Sequence, residues 1–270
     1  MADADLYRIQ ELPPDNLGGA SGDKRKFRLE FIGKAPTERF PYTVANEVVS
    51  NYLGAVMGFQ IPAAIPHRIE GDALALILWM SPVARQQDAP PITSKTLRDY
   101  LASEDHRDEI HGAIILDLFL ANTDRSFGPQ RRNIAVDEQT GRLILFDFGN
   151  ALFYRHREHR GILAGIPRLQ AVAHDMRNLF DKQEHDPQNY DFQLLTDWNL
   201  VEKWCERLRQ LPDFILENAV RRVPEEIEPP TADERQSLVE FLKERRGYLL
   251  EHIRDCRDEL FPGLPLGGDS

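Results

Sequence analysis

The stretch from residue 106 to residue 149 constrains the fold more than any other part of the chain. The segment HRDEIHGAIILDLFLAN is a strongly apolar helix pattern, and a helix of that character has to be buried. It delivers an Asn-Thr-Asp-Arg loop, Asn122 to Arg125. The following RRNIAVDEQTGRLILFDFG then reads as strand, turn at Thr140 and Gly141, and a second strand that ends in Asp147-Phe148-Gly149. A buried helix, a polar loop and a hairpin closing on an acidic turn therefore follow one another without interruption.

Upstream, the periodicity is different. In KRKFRLEF the apolar Phe27, Leu29 and Phe31 alternate with Lys26, Arg28 and Glu30, the period of a half-buried strand. A shorter strand pattern at Leu6 to Gln10 precedes it, separated by two prolines and the glycine-bearing LGGASGDK. After Pro41, Val44, Val48, Tyr52, Leu53 and Val56 fall at helical spacing, which predicts a helix over 44–57 stopped by Gly58. HRIEGDALALILWM predicts a hairpin turning at Glu70 to Asp72, with Ala73 to Met80 as a central strand that Pro82 ends. Gln, Asp and Pro then dominate up to Ile92, and helical signals prevail from Thr93 onward. The reading is α+β in two lobes: residues 1–88 mainly β with one helix, residues 89–270 mainly helical with a short hairpin.

With 270 residues, 41% of them hydrophobic, the chain can bury a sizeable core. Its 44 acidic side chains against 33 basic ones give a net charge of −11, which argues against a general attraction to DNA, RNA or an anionic membrane. MADADLYRIQELPPDN carries neither the basic nor the apolar region of an export signal, so a cytoplasmic protein is expected. Cys205 and Cys256 lack CxxC spacing and read as reduced thiols, not as a zinc site or a disulfide.

Asp124, Asn133 and Asp147, in that order, suit phosphoryl transfer. ATP brings four negative charges with magnesium bridging its phosphates, so the chemistry needs oxygen ligands for metal, a carboxylate that orients the acceptor and cations near the phosphates. The ordered set resembles the catalytic core of protein kinases, phosphoinositide kinases and, most closely, the HipA-like kinases: NxDR, a downstream Asn, an apolar strand closing in Asp-aromatic-Gly, and an ALFYRH continuation. Ala45-Asn46-Glu47 and GFQIP resemble that family's N-lobe helix, and WCERLRQLP and SLVEFLKERRGYLLEHI its closing helices.

The resemblance implies a two-lobed, protein-kinase-like fold that binds ATP and Mg2+ and phosphorylates a serine or threonine hydroxyl of a protein. Asp124 would orient and deprotonate that hydroxyl, with Arg125 clamping Asp124 or a phosphate. Asn133 and Asp147 would hold metal, and Glu47 would pair with the lysine that binds the phosphates. Gly18, Gly19 and Gly22 would offer backbone N–H groups to them. HipA-like proteins often act with a small partner protein, and nothing in this sequence identifies one.

Two features depart from the pattern. Glu30 stands where the family places its lysine, leaving Lys26, Arg28 or Lys34 to substitute, with Lys34 the first choice. Asn133 follows Asp124 by nine residues, a long spacing filled by SFGPQRR, whose Arg131 and Arg132 read as solvated loop residues or phosphate contacts. The alternatives left open are a pseudokinase, a nucleotide-binding or interaction module without transfer, and a kinase-fold transferase with a lipid, small-molecule or nucleotidyl chemistry.

Overall fold

The computed structural model describes residues 9–12, 26–78, 104–125, 133–137, 140–154, 164–179 and 194–265. Gly18, Gly19 and Gly22, the boundary near residue 88, and Arg131 and Arg132 lie outside the described residues.

The first lobe begins with an antiparallel pair, β1 (Ile9–Leu12) and β2 (Lys26–Leu29). A second sheet has the order β3-β5-β4, from β3 (Phe31–Lys34), β4 (Ala64–Ile69) and β5 (Asp72–Leu78), all antiparallel. The central position expected for the 73–80 segment is the one β5 occupies, over its described residues. Its hairpin with β4 closes on Glu70 and Gly71, with φ of 53° and 97°. Two successive left-handed residues are what a tight two-residue hairpin turn demands, and Ile69 opposite Asp72 fixes the register.

The single strand expected across KRKFRLEF is corrected to two. Residues 26–29 pair with β1, residues 31–34 pair with β5, and the exposed Glu30 lies at the change of partner. Alternation along the segment is continuous, but its hydrogen-bonding neighbour changes, so only the Phe31 end shares a sheet with β5.

Helix α1 (Thr43–Val56) ends before Gly58, whose φ of 88° only glycine adopts freely. The helix is buried between the β4–β5 sheet on one side and α5 (Asp213–Arg221) on the other. That double contact buries not only Val44, Val48 and Leu53 but also Asn46, Glu47, Ser50 and Asn51. On the sheet, Lys34 lies opposite Ala75 and Ile32 opposite Ile77, and Ala75 and Ile77 are buried. Lys34 is therefore on the face that α1 covers.

The second lobe is built on α2 (Glu104–Phe119), whose Ile110, Ile115, Leu116 and Phe119 are buried. On it pack α4 (Trp198–Arg209) and α6 (Ala232–Asp255); α3 (Ile166–His174), α5 and the short α7 (Arg257–Leu260) pack on α6, and a 3-10 turn (Met176–Leu179) packs on α3. Local chemistry sets several helix starts. The Asp197 carboxylate accepts from Asn199 and Leu200 N–H at the start of α4, and Thr231 and Glu234 form a capping box at the start of α6. At Gly112 a Cβ would sit 2.3 Å from the Trp204 ring, so only glycine lets α2 and α4 approach this closely.

Arg245 of α6 is fully buried and directs its donors to backbone carbonyls: Nε and Nη2 donate to that of Leu118 and Nη1 to that of Val172. Those carbonyls belong to the last turns of α2 and α3, where helix dipoles favour a cation. Burial pulls the guanidinium down to about 10.

The hairpin of β6 (Ile134–Val136) and β7 (Leu143–Leu145) follows α2. It joins the first lobe at Gln60, whose carbonyl accepts from Leu145 N–H at 2.9 Å. Tyr42, at the start of α1, stacks on Phe153 at 4.9 Å and donates to Glu234 of α6. No helix among the described residues is long and apolar enough to cross a membrane.

Candidate active site

The loop after α2 is organised by a buried acid. Asp117 accepts from Asn122 Nδ2 at 2.8 Å and from Arg125 Nε and Nη2 at 2.7 and 3.2 Å. Burial pushes the Asp117 carboxyl up, with Arg125 opposing. Arg125 Nη1 further donates to the carbonyls of Asn133 and Phe146, and the guanidinium lies 4.6 Å over the Phe148 ring. This corrects the expectation for Arg125. It is 6% exposed and binds Asp117 instead of clamping Asp124 or facing a phosphate. Its five donors suit it to tie the loop to both ends of the β6–β7 hairpin.

Asn133 takes a left-handed φ of 60°, a conformation asparagine tolerates. Its Nδ2 donates to the Asp124 carbonyl at 2.9 Å and to Asp124 Oδ2 at 3.1 Å. The nine-residue spacing therefore still brings the two side chains together. Asp124 Oδ2 also accepts from Asn150 Nδ2 at 2.8 Å.

Asp147 is likewise left-handed, with φ of 58°. Its Oδ1 lies 2.7 Å from Lys34 Nζ, which is also 2.5 Å from Glu47 Oε1. One lysine thus joins a carboxylate of α1 to the acidic turn after β7. Burial works against the Lys34 ammonium, but Glu47 and Asp147 outweigh it and hold its pKa above the usual lysine value. Burial pushes the Glu47 carboxyl up against the pull of Lys34, whereas for Asp147 the lysine outweighs burial and holds it below the usual range. The Asn46 side chain completes the link by donating to the Gly149 carbonyl at 2.8 Å.

Glu30 is corrected here as well. It is exposed and precedes β3, and Lys34, four residues on, is the group beside Glu47.

Sequence reasoning missed Asp117, Asn46 and Asn150. Asn46 and Asn150 adjoin the motif residues Glu47 and Gly149, and adjacency was the available signal. Which carbonyl or carboxylate they reach is set by the tertiary fold.

The described residues define a two-lobed, kinase-like fold, mixed in secondary structure, with this cluster where the lobes meet. The chain is similar in structure to the Helicobacter pylori proinflammatory kinase CtkA: the TM-score is 0.54 and the sequence identity 12%, and the match covers 95% of this chain and 98% of that one. No protein-family model and no curated protein sequence matches the chain.

Proposed function

We propose that this protein is an ATP- and magnesium-dependent kinase of the HipA-like kind, working in the cytoplasm on a serine or threonine hydroxyl of a protein. The observation that carries this reading is Lys34 held between Glu47 and Asp147, together with an Asp124 on which the Asn133 and Asn150 amides converge.

The donor set fits a hard cation: Asp147 supplies carboxylate oxygen and Asn133 an amide oxygen, the ligand types magnesium takes. Bound there, magnesium would neutralise charge on the phosphates. Lys34, fixed by Glu47, binds the α- and β-phosphates. Asp124 orients the acceptor hydroxyl and takes its proton as that oxygen bonds to the γ-phosphorus and the bond from γ-phosphorus to the bridging oxygen breaks, releasing ADP. Asp117 and Arg125 keep the loop in shape from below. The glycine-bearing 17–24 segment is assigned to the phosphates by resemblance alone, and the lobe boundary near residue 88 is retained as part of the same proposal.

Lys34 beside Glu47 supports this reading over a pseudokinase, because it supplies a cation that Glu30 does not. The test is magnesium-dependent transfer of labelled γ-phosphate to the protein itself or to a protein acceptor. Nucleotide-induced thermal stabilisation with no transfer by wild type would return the chain to a binding module.

A further inference from the structure

Asp147 immediately precedes, and Asn150 lies within, one short turn. Asp147 enters it with left-handed backbone, Ala151 N–H donates to the Phe148 carbonyl at 3.0 Å, and Asn46 holds the Gly149 carbonyl at 2.8 Å. The residue that enters the turn therefore contacts Lys34, and a residue within it contacts Asp124. Among the described residues, the side-chain amides of Asn133 and Asn150 both donate to the same Asp124 oxygen, Oδ2. A lysine or arginine in the place of Asn150 would also hold the carboxylate, but would stabilise its charge and weaken it as a proton acceptor. A neutral amide orients it with far less of that penalty.

We propose that Asn150 is a positioning residue for phosphoryl transfer, which fixes the Asp124 carboxylate in register with the turn that Asp147 enters. The inference rests on the kinase reading above. In this role Asn150 acts through Asp124. The hydrogen bond joins the loop that carries Asp124 to the turn after β7, 26 residues on, and so ties the acceptor-orienting carboxylate to the turn that Asp147 enters.

The consequence is a division between rate and binding. Misplacing a reacting group by about 1 Å costs on the order of 100-fold in rate. Asn150→Ala is therefore expected to lower kcat by roughly 10- to 100-fold while the KM for ATP stays within about twofold. Asn150→Asp has the same shape but replaces the donor by a second carboxylate against Asp124, and it should be slower than Asn150→Ala. A residue that served packing alone would give the reverse order, because the isosteric change preserves volume.

The experiment is steady-state phosphate transfer by wild type, Asn150→Ala, Asn150→Asp, Asp124→Asn and the Asn150→Ala/Asp124→Asn pair, each checked for its thermal midpoint with and without ATP. The expected result is an intact fold, unchanged ATP stabilisation, the order wild type, Asn150→Ala, Asn150→Asp in kcat, and no further loss from Asn150→Ala once Asp124→Asn is present. An active wild type with Asn150→Ala at full kcat, or independent multiplicative losses in the double variant, overturns the role of Asn150 and leaves the kinase reading standing. An inactive wild type fails the kinase reading itself, and the inference with it.

Discussion

Removing the Lys34 ammonium should leave a carboxylate stranded inside the protein. In Lys34→Met the Glu47 side chain, 1% exposed, keeps its burial but loses the cation 2.5 Å away. Removing one partner of a buried pair costs about 3–5 kcal/mol, because the remaining charge is neither solvated nor compensated. The lysine side chain is itself 26% exposed, which places the expected loss toward the lower end, about 3 kcal/mol. For a chain of this size that corresponds to a fall in thermal midpoint of roughly 6–12 °C.

The loss should depend on pH. Burial already raises the Glu47 carboxyl, and without the opposing lysine it rises further. The native state of the variant then holds a proton that the unfolded chain has released, so stability falls as pH rises from the ordinary carboxyl value toward the folded one. Lys34→Met should therefore be closer to wild type at pH 5 than at pH 8. Glu47→Gln added to Lys34→Met removes the stranded charge and should recover most of the loss. Midpoints measured by differential scanning calorimetry at both pH values decide it. If Lys34→Met lies within about 1 °C of wild type at pH 8, or if adding Glu47→Gln deepens the damage, the pairing of a buried acid with Lys34 is wrong.

Arg245→Met should cost roughly 2–4 kcal/mol, since two helix-end carbonyls lose their buried donor, and Arg245→Lys should recover only part, having one ammonium for two separated carbonyls; urea midpoints read both. His111, fully buried in α2, bonds the Arg107 carbonyl through Nδ1 and accepts from Thr196 and Asp197 N–H at Nε2, and burial holds its pKa below the usual histidine value despite Asp197 and Asp108 nearby. The neutral ring is the native form, so its contribution is complete above about pH 6.5 and declines as pH drops below that; His111→Gln should flatten the stability–pH slope below about pH 6.5, and an unchanged slope refutes the assignment.

Much of this could be read before any coordinates, wherever the physics is local. Helix α1 and the β4–β5 and β6–β7 hairpins follow from apolar spacing and from turn residues at Glu70–Gly71 and Thr140–Gly141. The order of Asp124, Asn133 and Asp147 marked the loops on which the site lies. What stayed hidden depends on partners remote in sequence. Alternation cannot reveal that residues 26–29 and 31–34 hydrogen-bond to different strands, nor that Lys34 of the second strand, and not Glu30, reaches Glu47. Arg125 looked like a loop cation because its burial depends on Asp117 one turn before the loop and on carbonyls from the hairpin. Asn150 needed the turn after β7 to fold back on Asp124 before its amide had anything to hold.

The central claim is that the cluster transfers phosphate, and it is tested most directly by mass spectrometry after incubation with γ-labelled ATP and magnesium, wild type beside Asp124→Asn. The account predicts labelled serine or threonine, on this protein or on a protein acceptor, in the wild-type sample. It predicts a loss of roughly 100- to 10,000-fold in Asp124→Asn, the range a positioned general base supplies, with ATP still raising the thermal midpoint of both proteins. Equal labelling by wild type and Asp124→Asn, or no transfer by wild type to any acceptor despite ATP binding, would contradict it.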